Sequence, residues 1–200
     1  YCTECLSAAF MNDPYDWDGE KEPVVFACEA DSDAALTMQI LHLLTGDPVV
    51  FMDVRHYDAE EDVMVFCNCG SESTYYATGT KDFRANLKKT TLYPCLDIYS
   101  GGGCHVNLMT KAGKATIARL NRNEGKYRMT IIPAEFVELP REKMKETTEE
   151  WPHVFAKLPF DHSVFLDRFD ANHCHAVYGD HVDDLKMICS MLNVEVEMFS

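Results

Sequence analysis

The chain has 200 residues, enough for one sizeable hydrophobic core, or for one core and part of a second. Its 33 acidic and 18 basic residues give a formal charge of −15, which repels phosphate backbones and anionic lipid headgroups, so we expect no nucleic-acid or membrane partner. No apolar run approaches the ~20 residues that a membrane-spanning helix needs.

Two carboxylates stand at the ends of the first predicted strands. The apolar, β-branched runs at residues 24–28 and 49–52 predict strands, and the helical spacing of apolar residues over 33–44 predicts a helix between them. A crossover of this length makes the strands parallel, and open parallel sheets bind ligands beyond the carboxyl ends of their strands. Glu29 and Asp53 lie there, close enough to share a divalent cation.

A structural interpretation of the same two acids is also open. Glu29 would be a solvated loop residue, and Asp53 would pair with Arg55 on the same face of its strand. The pattern of the residues does not decide between this and a metal site.

The predicted helix has clear boundaries. Asp31 or Ser32 can cap its start by accepting a hydrogen bond from a free backbone N–H. Gly46 can adopt the left-handed conformation that ends a helix. The segment therefore carries its own start and stop signals.

The remainder of the chain predicts a series of strands with few helices between them. Apolar runs mark these strands at residues 63–67, 92–99, 115–120, 127–132 and 194–199. The third and fourth form a hairpin candidate because a polar turn joins them. Charged residues 140–150 and the periodic segment 183–192 predict helices. This succession is typical of an antiparallel sheet or small barrel.

These elements together predict an α+β fold. It would consist of a short βαβ piece of an α/β domain, followed by a mainly antiparallel β-sheet or barrel domain with flanking helices. We place the boundary near Asp47. Residues 1–46 are then the C-terminal piece of a preceding α/β domain, and residues 47–200 are a C-terminal β-rich domain.

The nine cysteines are an odd number and lie mostly inside apolar runs, so a disulfide framework is not expected and a reducing cytoplasm fits best. Two short spacings still permit a structural zinc site. They define a hypothesis from another functional class, a zinc-stabilised, non-catalytic binding module with four candidate ligands: Cys2, Cys5, Cys67 and Cys69.

A histidine cluster near the end of the chain is a further metal candidate. His173, His175 and His181 fall within nine residues, next to Asn172. Imidazole is a common ligand of divalent metals, although a lone histidine is more often a structural residue. Three histidines beside two candidate metal carboxylates make both interpretations reasonable.

Seven short motifs then suggest a family. They are Glu29-Ala-Asp-Ser-Asp, His42-Leu-Leu-Thr-Gly46, Phe51-Met-Asp-Val-Arg-His-Tyr57, Asn68-Cys-Gly-Ser71, Gly101-Gly-Gly103, Trp151-Pro152 and Ala171-Asn-His173. In order and approximate spacing they resemble the C-terminal half of the L-fucose isomerases. The resemblance runs from about Val24 to Val196.

The resemblance implies a site. Three residues would bind a divalent cation, usually Mn²⁺: Glu29, Asp53 and His173. Three more would line the sugar site: Asn172, Trp151 and Cys69. Glu29 and Asp53 would also serve as the catalytic acid and base, and which of them takes which proton stays open.

The resemblance also implies a reaction and an assembly. The reaction is aldose–ketose isomerisation of L-fucose to L-fuculose through an enediol, as part of carbohydrate metabolism in the cytoplasm. L-arabinose isomerase or another sugar isomerase on the same fold is the alternative. Members carry two further α/β domains before this segment and form hexamers whose sites include a neighbouring subunit, so we expect this chain alone to have little or no isomerase activity.

Overall fold

Eleven strands and five α-helices make up the described part of the chain. The computed structural model describes residues 2–94 and 102–199. The strands are β1 (Tyr15–Asp16), β2 (Gly19–Glu20), β3 (Val50–Asp58), β4 (Val63–Cys67), β5 (Thr91–Pro94), β6 (Cys104–Asn107), β7 (Gly113–Asn123), β8 (Lys126–Val137), β9 (His153–Lys157), β10 (His173–Tyr178) and β11 (Glu195–Met198). The helices are α1 (Cys2–Met11), α2 (Ser32–Thr45), α3 (Phe83–Lys89), α4 (His162–Arg168) and α5 (Val182–Leu192).

Six of these strands close into an antiparallel barrel. Their order is β8-β7-β10-β3-β4-β9, and pairing of β8 with β9 closes the ring. β11 adds to β8 from outside as a parallel strand. The two small sheets, β1 with β2 and β5 with β6, are separate from the barrel. The predicted α+β class and its mainly antiparallel barrel with flanking helices are confirmed.

The barrel has an apolar interior and a second apolar layer outside it. On β10, Cys174 and Ala176 belong to the interior cluster, whereas Val177 belongs to the outer one. Phe51 on β3 also faces outward, where α2 and α5 cover the sheet. Alternate residues of β3 and β10 therefore lie either inside the barrel or beneath α2.

The helix α2 begins and ends as its sequence predicts. The Asp31 side chain accepts a hydrogen bond from the Ala34 backbone N–H at 2.9 Å, so Asp31 rather than Ser32 is the cap. Gly46 has a φ of 70° and donates its N–H to the His42 carbonyl oxygen. The predicted hairpin also forms, as β7 and β8.

The strand predicted over residues 24–28 does not form, and β3 is not parallel to any neighbour. Residues 24–27 have no regular secondary structure, and Cys28–Ala30 is a short 3₁₀ turn. The reason is that β10 and β4 occupy both edges of β3, antiparallel, so no edge is left for another strand. Val25 and Ala27 instead pack against the outer apolar cluster.

The remaining predicted elements differ in extent. The charged segment 140–150 contains a 3₁₀ helix, Arg141–Glu146, while the predicted helix 183–192 and strand 194–199 appear as α5 and β11. Of the strand predicted over 92–99, only the start is β5, and residues 95–99 lie outside the described residues. The domain boundary near Asp47 stays a prediction.

No helix among the described residues is both long enough and apolar enough to cross a lipid bilayer.

Candidate metal and sugar site

The pairing of β10 with β3 brings two predicted metal ligands together. His173 lies directly opposite Asp53 in the register, and His173 Nε2 is 3.2 Å from Asp53 Oδ1. Both residues are on the outer face of the barrel, where the ring of Phe51 packs against that of His173 with centroids 4.5 Å apart. Because register fixes both backbones, the separation of the two side chains follows from the sheet itself.

Glu29 reaches the same place from the turn before α2. Its Oε2 lies 3.6 Å from His173 Nε2, and its side chain is 65% exposed. Glu29 and Ala30 have φ values of 59° and 55°, a left-handed conformation that non-glycine residues rarely adopt. Two such residues in succession bend the chain sharply between residues 24–27 and α2, and this bend carries Glu29 to the edge of the barrel.

Asp31 holds the other nitrogen of the His173 ring. His173 Nδ1 is 2.9 Å from Asp31 Oδ2, and Arg119 on β7 forms a bidentate pair with both Asp31 oxygens at 2.8 and 3.2 Å. Burial alone would raise the pKa of Asp31, but hydrogen bonds from Arg119 and His173 outweigh it and hold the pKa well below its usual range. Asp31 is therefore a carboxylate anion at neutral pH.

The His173 ring itself is favoured in its charged form. Burial lowers the pKa of His173, but the hydrogen bonds to Asp53 and Asp31 exceed that effect and raise the pKa overall. The two neighbouring carboxylates therefore favour a positive charge on the ring.

The donor atoms of Glu29, Asp53 and His173 suit a divalent cation by their chemistry. Carboxylate oxygens and an imidazole nitrogen are suitable ligands for Mn²⁺. With Nδ1 bonded to Asp31, a neutral ring would direct the Nε2 lone pair at two carboxylate oxygens, an arrangement that requires a proton or a cation between them. Among the described residues, however, no group of three His, Cys, Asp or Glu side chains is arranged so that it could hold a metal ion.

Asn172 lies beside the same nitrogen. Its side-chain Nδ2 is 3.1 Å from His173 Nε2. Its backbone carbonyl oxygen accepts a hydrogen bond from the Val54 N–H. The backbone bond continues the ladder between β10 and β3, so it fixes Asn172 next to the candidate ligands.

Trp151 is joined to the site through Arg55. The Arg55 guanidinium lies over the Trp151 ring, 4.8 Å from its centroid, and Arg55 Nη2 is 3.7 Å from Asp53 Oδ2. Arg55 Nε also donates a hydrogen bond to Cys67 Sγ at 2.8 Å. The Asp53–Arg55 pair expected from the sequence is therefore present, and it connects Asp53 to Trp151.

Cys69 belongs to a group of thiols. Its Sγ is 3.3 Å from Cys5 Sγ, and it also bonds with Cys28, the residue before Glu29. The hydrogen bond with Cys28 lowers the pKa of Cys69, but the hydrogen bond with Cys5 and burial raise it further, to about 12, so Cys69 is a neutral thiol. A cleft of about 280 Å³ opens here, and Cys5, Cys28 and Glu29 line it.

The four-cysteine zinc hypothesis receives no support from this arrangement. Cys67 accepts a hydrogen bond from Arg55. The thiol next to Cys5 and Cys69 belongs to Cys28, which the hypothesis did not include. The side chain of Cys2 lies outside the described part of the chain.

Two functional candidates escaped the sequence analysis. Asp31 was considered only as a helix cap, and Arg119 was not singled out. The contact of Asp31 with His173 joins residues 142 positions apart, so no local pattern reveals it. The available signal was the second acid of the Glu29-Ala-Asp31 motif.

Comparisons with known proteins find similarity along nearly the whole chain. The family model of the L-fucose isomerase C-terminal domain matches residues 66–200, and that of the second N-terminal domain matches residues 3–46. The L-fucose isomerase of Vibrio vulnificus is 30% identical over 237 aligned residues, which cover 96% of this chain and 40% of the relative. That of Haemophilus influenzae is 28% identical over 233 residues, covering 95% and 40%.

The match is broad for this chain and partial for its relatives. The L-fucose isomerase of Phocaeicola vulgatus shows the same proportions, with 28% identity over 96% of this chain and 41% of the relative. The chain thus spans about 40% of the length of the curated relatives it matches. Because the C-terminal-domain match covers more than half of its residues, the chain belongs to the L-fucose isomerase family.

Proposed function

We propose that this chain supplies the metal-binding and proton-transferring part of an aldose–ketose isomerase site that acts on L-fucose or a closely related sugar. The observation that carries the proposal is the convergence of Asp53 and Glu29 on His173 Nε2, at 3.2 and 3.6 Å. The relatives' name, L-fucose isomerase, supports the substrate class.

Glu29, Asp53 and His173 would hold a divalent cation, for which we propose Mn²⁺. When bound, this ion would polarise the sugar carbonyl as a Lewis acid and stabilise the negative charge of the enediol. Asp53 is fixed by strand register, whereas the exposed Glu29 side chain can turn toward a sugar. Asp53 therefore suits the role of a rigid metal ligand, and Glu29 suits that of a more adjustable one.

The isomerisation itself is a proton transfer between neighbouring carbons. A carboxylate removes the proton from C2 of the aldose, and a proton returns to C1 while the proton of the C2 hydroxyl moves to the C1 oxygen. Glu29 and Asp53 are the two carboxylates beside His173 Nε2 that the proposal assigns to these transfers. The protons balance whichever of the two carboxylates removes the proton from C2.

The sugar contacts would come from the surrounding side chains. The Asn172 amide lies beside Nε2 and can hydrogen-bond a sugar hydroxyl. The Trp151 ring, held by Arg55, offers an apolar face to the C–H groups of a sugar. Cys69 offers a neutral thiol at the Glu29 side of the site.

Metal binding is the first test. We expect the chain to bind Mn²⁺, measured by electron paramagnetic resonance, and His173→Gln to weaken binding by about a hundredfold or more, since one of three ligands is lost. His181→Gln is the matched control, because His181 lies at the start of α5 and contacts Asp184 and Tyr178 rather than the candidate ligands. Equal Mn²⁺ affinity of native chain and His173→Gln would overturn the metal site.

Turnover is the second test. Rate depends on positioning to within about 1 Å, so a chain that spans 40% of its relatives' length should isomerise L-fucose far more slowly than the Vibrio vulnificus relative. The assay compares both proteins with Mn²⁺ and with L-fucose or L-arabinose. Turnover within about tenfold of the relative would contradict our proposal that further domains and neighbouring subunits of a hexamer complete the site.

A further inference from the structure

We propose that Arg55 is a positioning residue of the sugar site: it holds the Trp151 indole by one face, so that the opposite face receives the sugar, and it ties that ring to Asp53. Arg55 acts through these two side chains and not on the reacting carbons. The inference rests on the proposed function and deepens it, but the support of the ring by Arg55 can be measured without sugar or metal.

A β-bulge in β3 presents the Arg55 side chain. Val54 and His56 lie opposite consecutive residues of β4, so Arg55 is the extra residue of the bulge. Val54 and Tyr57 both pack against the interior cluster, although strict alternation would place residues three positions apart on opposite faces. The extra residue returns Tyr57 to the interior and directs Arg55 toward Asp53, on the outside of the barrel. Bulges beside functional sites commonly re-aim a side chain in this way.

Two contacts fix the guanidinium itself. Arg55 Nε donates a hydrogen bond to Cys67 Sγ at 2.8 Å, and Arg55 Nη2 lies 3.7 Å from Asp53 Oδ2. Cys67 is only 1% exposed and lies opposite Asp53 in the register of β4 and β3, so both contacts are anchored in the sheet. Because a guanidinium is planar and rigid, a hydrogen bond at Nε and an ion pair at Nη2 define its plane. Arg55 is thus a fixed support, although its side chain is 33% exposed.

The Trp151 backbone is held in place, but its ring needs a separate constraint. The N–H of Trp151 donates to the Thr148 carbonyl oxygen at 2.9 Å. The Trp151 carbonyl oxygen accepts hydrogen bonds from Asn107 Nδ2 at 2.9 Å and from His153 Nδ1 at 2.8 Å. These backbone bonds do not restrict rotation of the indole about its side-chain torsions. The Arg55 guanidinium, 4.8 Å from the ring centroid, supplies that restriction because a cation is attracted to the face of an indole.

The same contact decides which face of the ring a sugar can use. A sugar between guanidinium and ring would need about twice the contact distance of roughly 4 Å, so the face covered by Arg55 is closed to it. Asp53 faces Arg55 with Oδ2 and His173 Nε2 with Oδ1, so one guanidinium sets the separation between the ring and the candidate metal ligands. Because turnover depends on positions to within about 1 Å, this separation limits how well a sugar fits the site.

The substitution Arg55→Gln removes both the cation and the rigid plane. Arg168→Gln is the matched control, since the Arg168 guanidinium also lies over an aromatic ring, that of Phe199 at 4.6 Å, and also pairs with an acid, Glu197, at 2.9 Å. These contacts lie at the end of β11 rather than among the candidate ligands. The two variants therefore remove the same kind of interaction from two different places.

Indole ¹⁵N relaxation in a Trp17→Phe chain reads the ring directly, because Trp151 is then the only tryptophan. Without sugar or metal, we expect the Trp151 indole to be as rigid as the backbone, to become mobile in Arg55→Gln and to stay rigid in Arg168→Gln. A mobile ring in the chain that retains Arg55 overturns the inference, as does a rigid ring in Arg55→Gln. If Arg55→Gln does not fold, Arg55→Lys replaces it with the same expected result, because lysine keeps the charge but lacks the planar group and the Nε donor.

Affinity for L-fucose is the second readout, measured by Trp151 fluorescence in the same chains with saturating Mn²⁺. Arg55→Gln should weaken L-fucose binding about tenfold, because the ring must then be ordered during binding, and Arg168→Gln should leave the affinity unchanged. Equal affinities with and without Arg55 would overturn the inference and leave the proposed function intact. If the ring behaves as expected and no chain binds L-fucose, the proposed function fails and the support of Trp151 by Arg55 stands.

Discussion

Asp31 and Glu72 are two carboxylates largely removed from water, and their surroundings treat the charge in opposite ways. Asp31 takes part in four hydrogen bonds, two of them with a guanidinium, and its pKa is well below the usual range. Glu72, only 1% exposed, accepts one hydrogen bond, from Thr110, and burial raises its pKa to about 8. Burial alone therefore does not determine ionisation; the number of donors does.

The difference divides the molecule into two regions. The helix α2, from its cap Asp31 to its final Gly46, presents an anion to the candidate metal site. The segment between β4 and the Thr74–Ala77 turn, which contains Gly70 and Glu72, keeps its acid neutral at pH 7. Within the described residues, Glu72 Oε2 has no hydrogen-bond partner, so ionisation there is not compensated.

The largest expected effect comes from removing the partner of Asp31. Arg119→Met should reduce the free energy of unfolding by about 4 kcal/mol, because it leaves a largely buried carboxylate without its cation. Urea denaturation monitored by circular dichroism measures the change. Arg122→Met, which breaks the exposed pair with Asp33, is the control and should change stability little. Equal losses in the two variants would show that the Asp31–Arg119 pair is not the stronger one.

The second prediction concerns the sign of the pH dependence. Between about pH 6 and 8 the folded chain largely keeps the Glu72 proton and the unfolded chain releases it, so the contribution of Glu72 to the free energy of unfolding falls as pH rises, by about 2 kcal/mol over that window. Asp13, whose pKa burial raises to about 6, contributes the same sign mainly below this window. The Asp31 pKa is lowered, so its contribution is instead lost as pH falls through the acid range.

Glu72→Gln isolates that slope. The amide does not titrate, so the variant should lose this part of the pH dependence in urea denaturation series at several pH values. Glu135→Gln, at an exposed position on β8, should retain the native slope. A Glu72→Gln variant with the native slope would mean that Glu72 is already ionised in the folded chain at neutral pH.

The smallest effect compares one glycine from each region. Gly70 has a φ of 105°, and a Cβ there would lie 2.4 Å from His105 Cβ, so Gly70→Ala should cost about 2 kcal/mol from strain and overlap. Gly46 has a φ of 70° with open space around it, so Gly46→Ala should cost only about 1 kcal/mol, the backbone term alone. Thermal unfolding of both variants gives the order, and a reversed order would contradict the close approach of His105 to Gly70.

The sequence was informative where the signals are local. The cap at Asp31, the left-handed Gly46 and the β7–β8 hairpin all depend on contacts within a few residues, and each is predictable from composition and spacing. The prediction of a strand over residues 24–28 was wrong because apolar character does not reveal whether a sheet edge is free. In a closed barrel, both edges of β3 are already occupied.

The closeness of Glu29, Asp53 and His173 was predictable from the sequence, but the geometry that produces it was not. Asp53 was placed at a strand end, but it meets His173 across an antiparallel pair, and Glu29 arrives from a left-handed turn rather than from a strand. Asp31 and Arg119 could not be paired from the sequence because their contact spans 88 positions. Contacts between residues so far apart depend on the folded arrangement of the strands and helices. The local spacing of apolar and polar residues does not predict that arrangement.

The direct opposition of His173 and Asp53 in a closed ring has a consequence for how this sequence can diverge. Side chains alternate along a strand, so deletion of one residue within β10 would move His173 to the other face or shift it along β3. An open sheet could absorb such a slip at an edge, but here each of the six barrel strands is paired on both sides. Insertions and deletions should therefore accumulate in the connections between strands, while the length of the paired part of β10 stays constant.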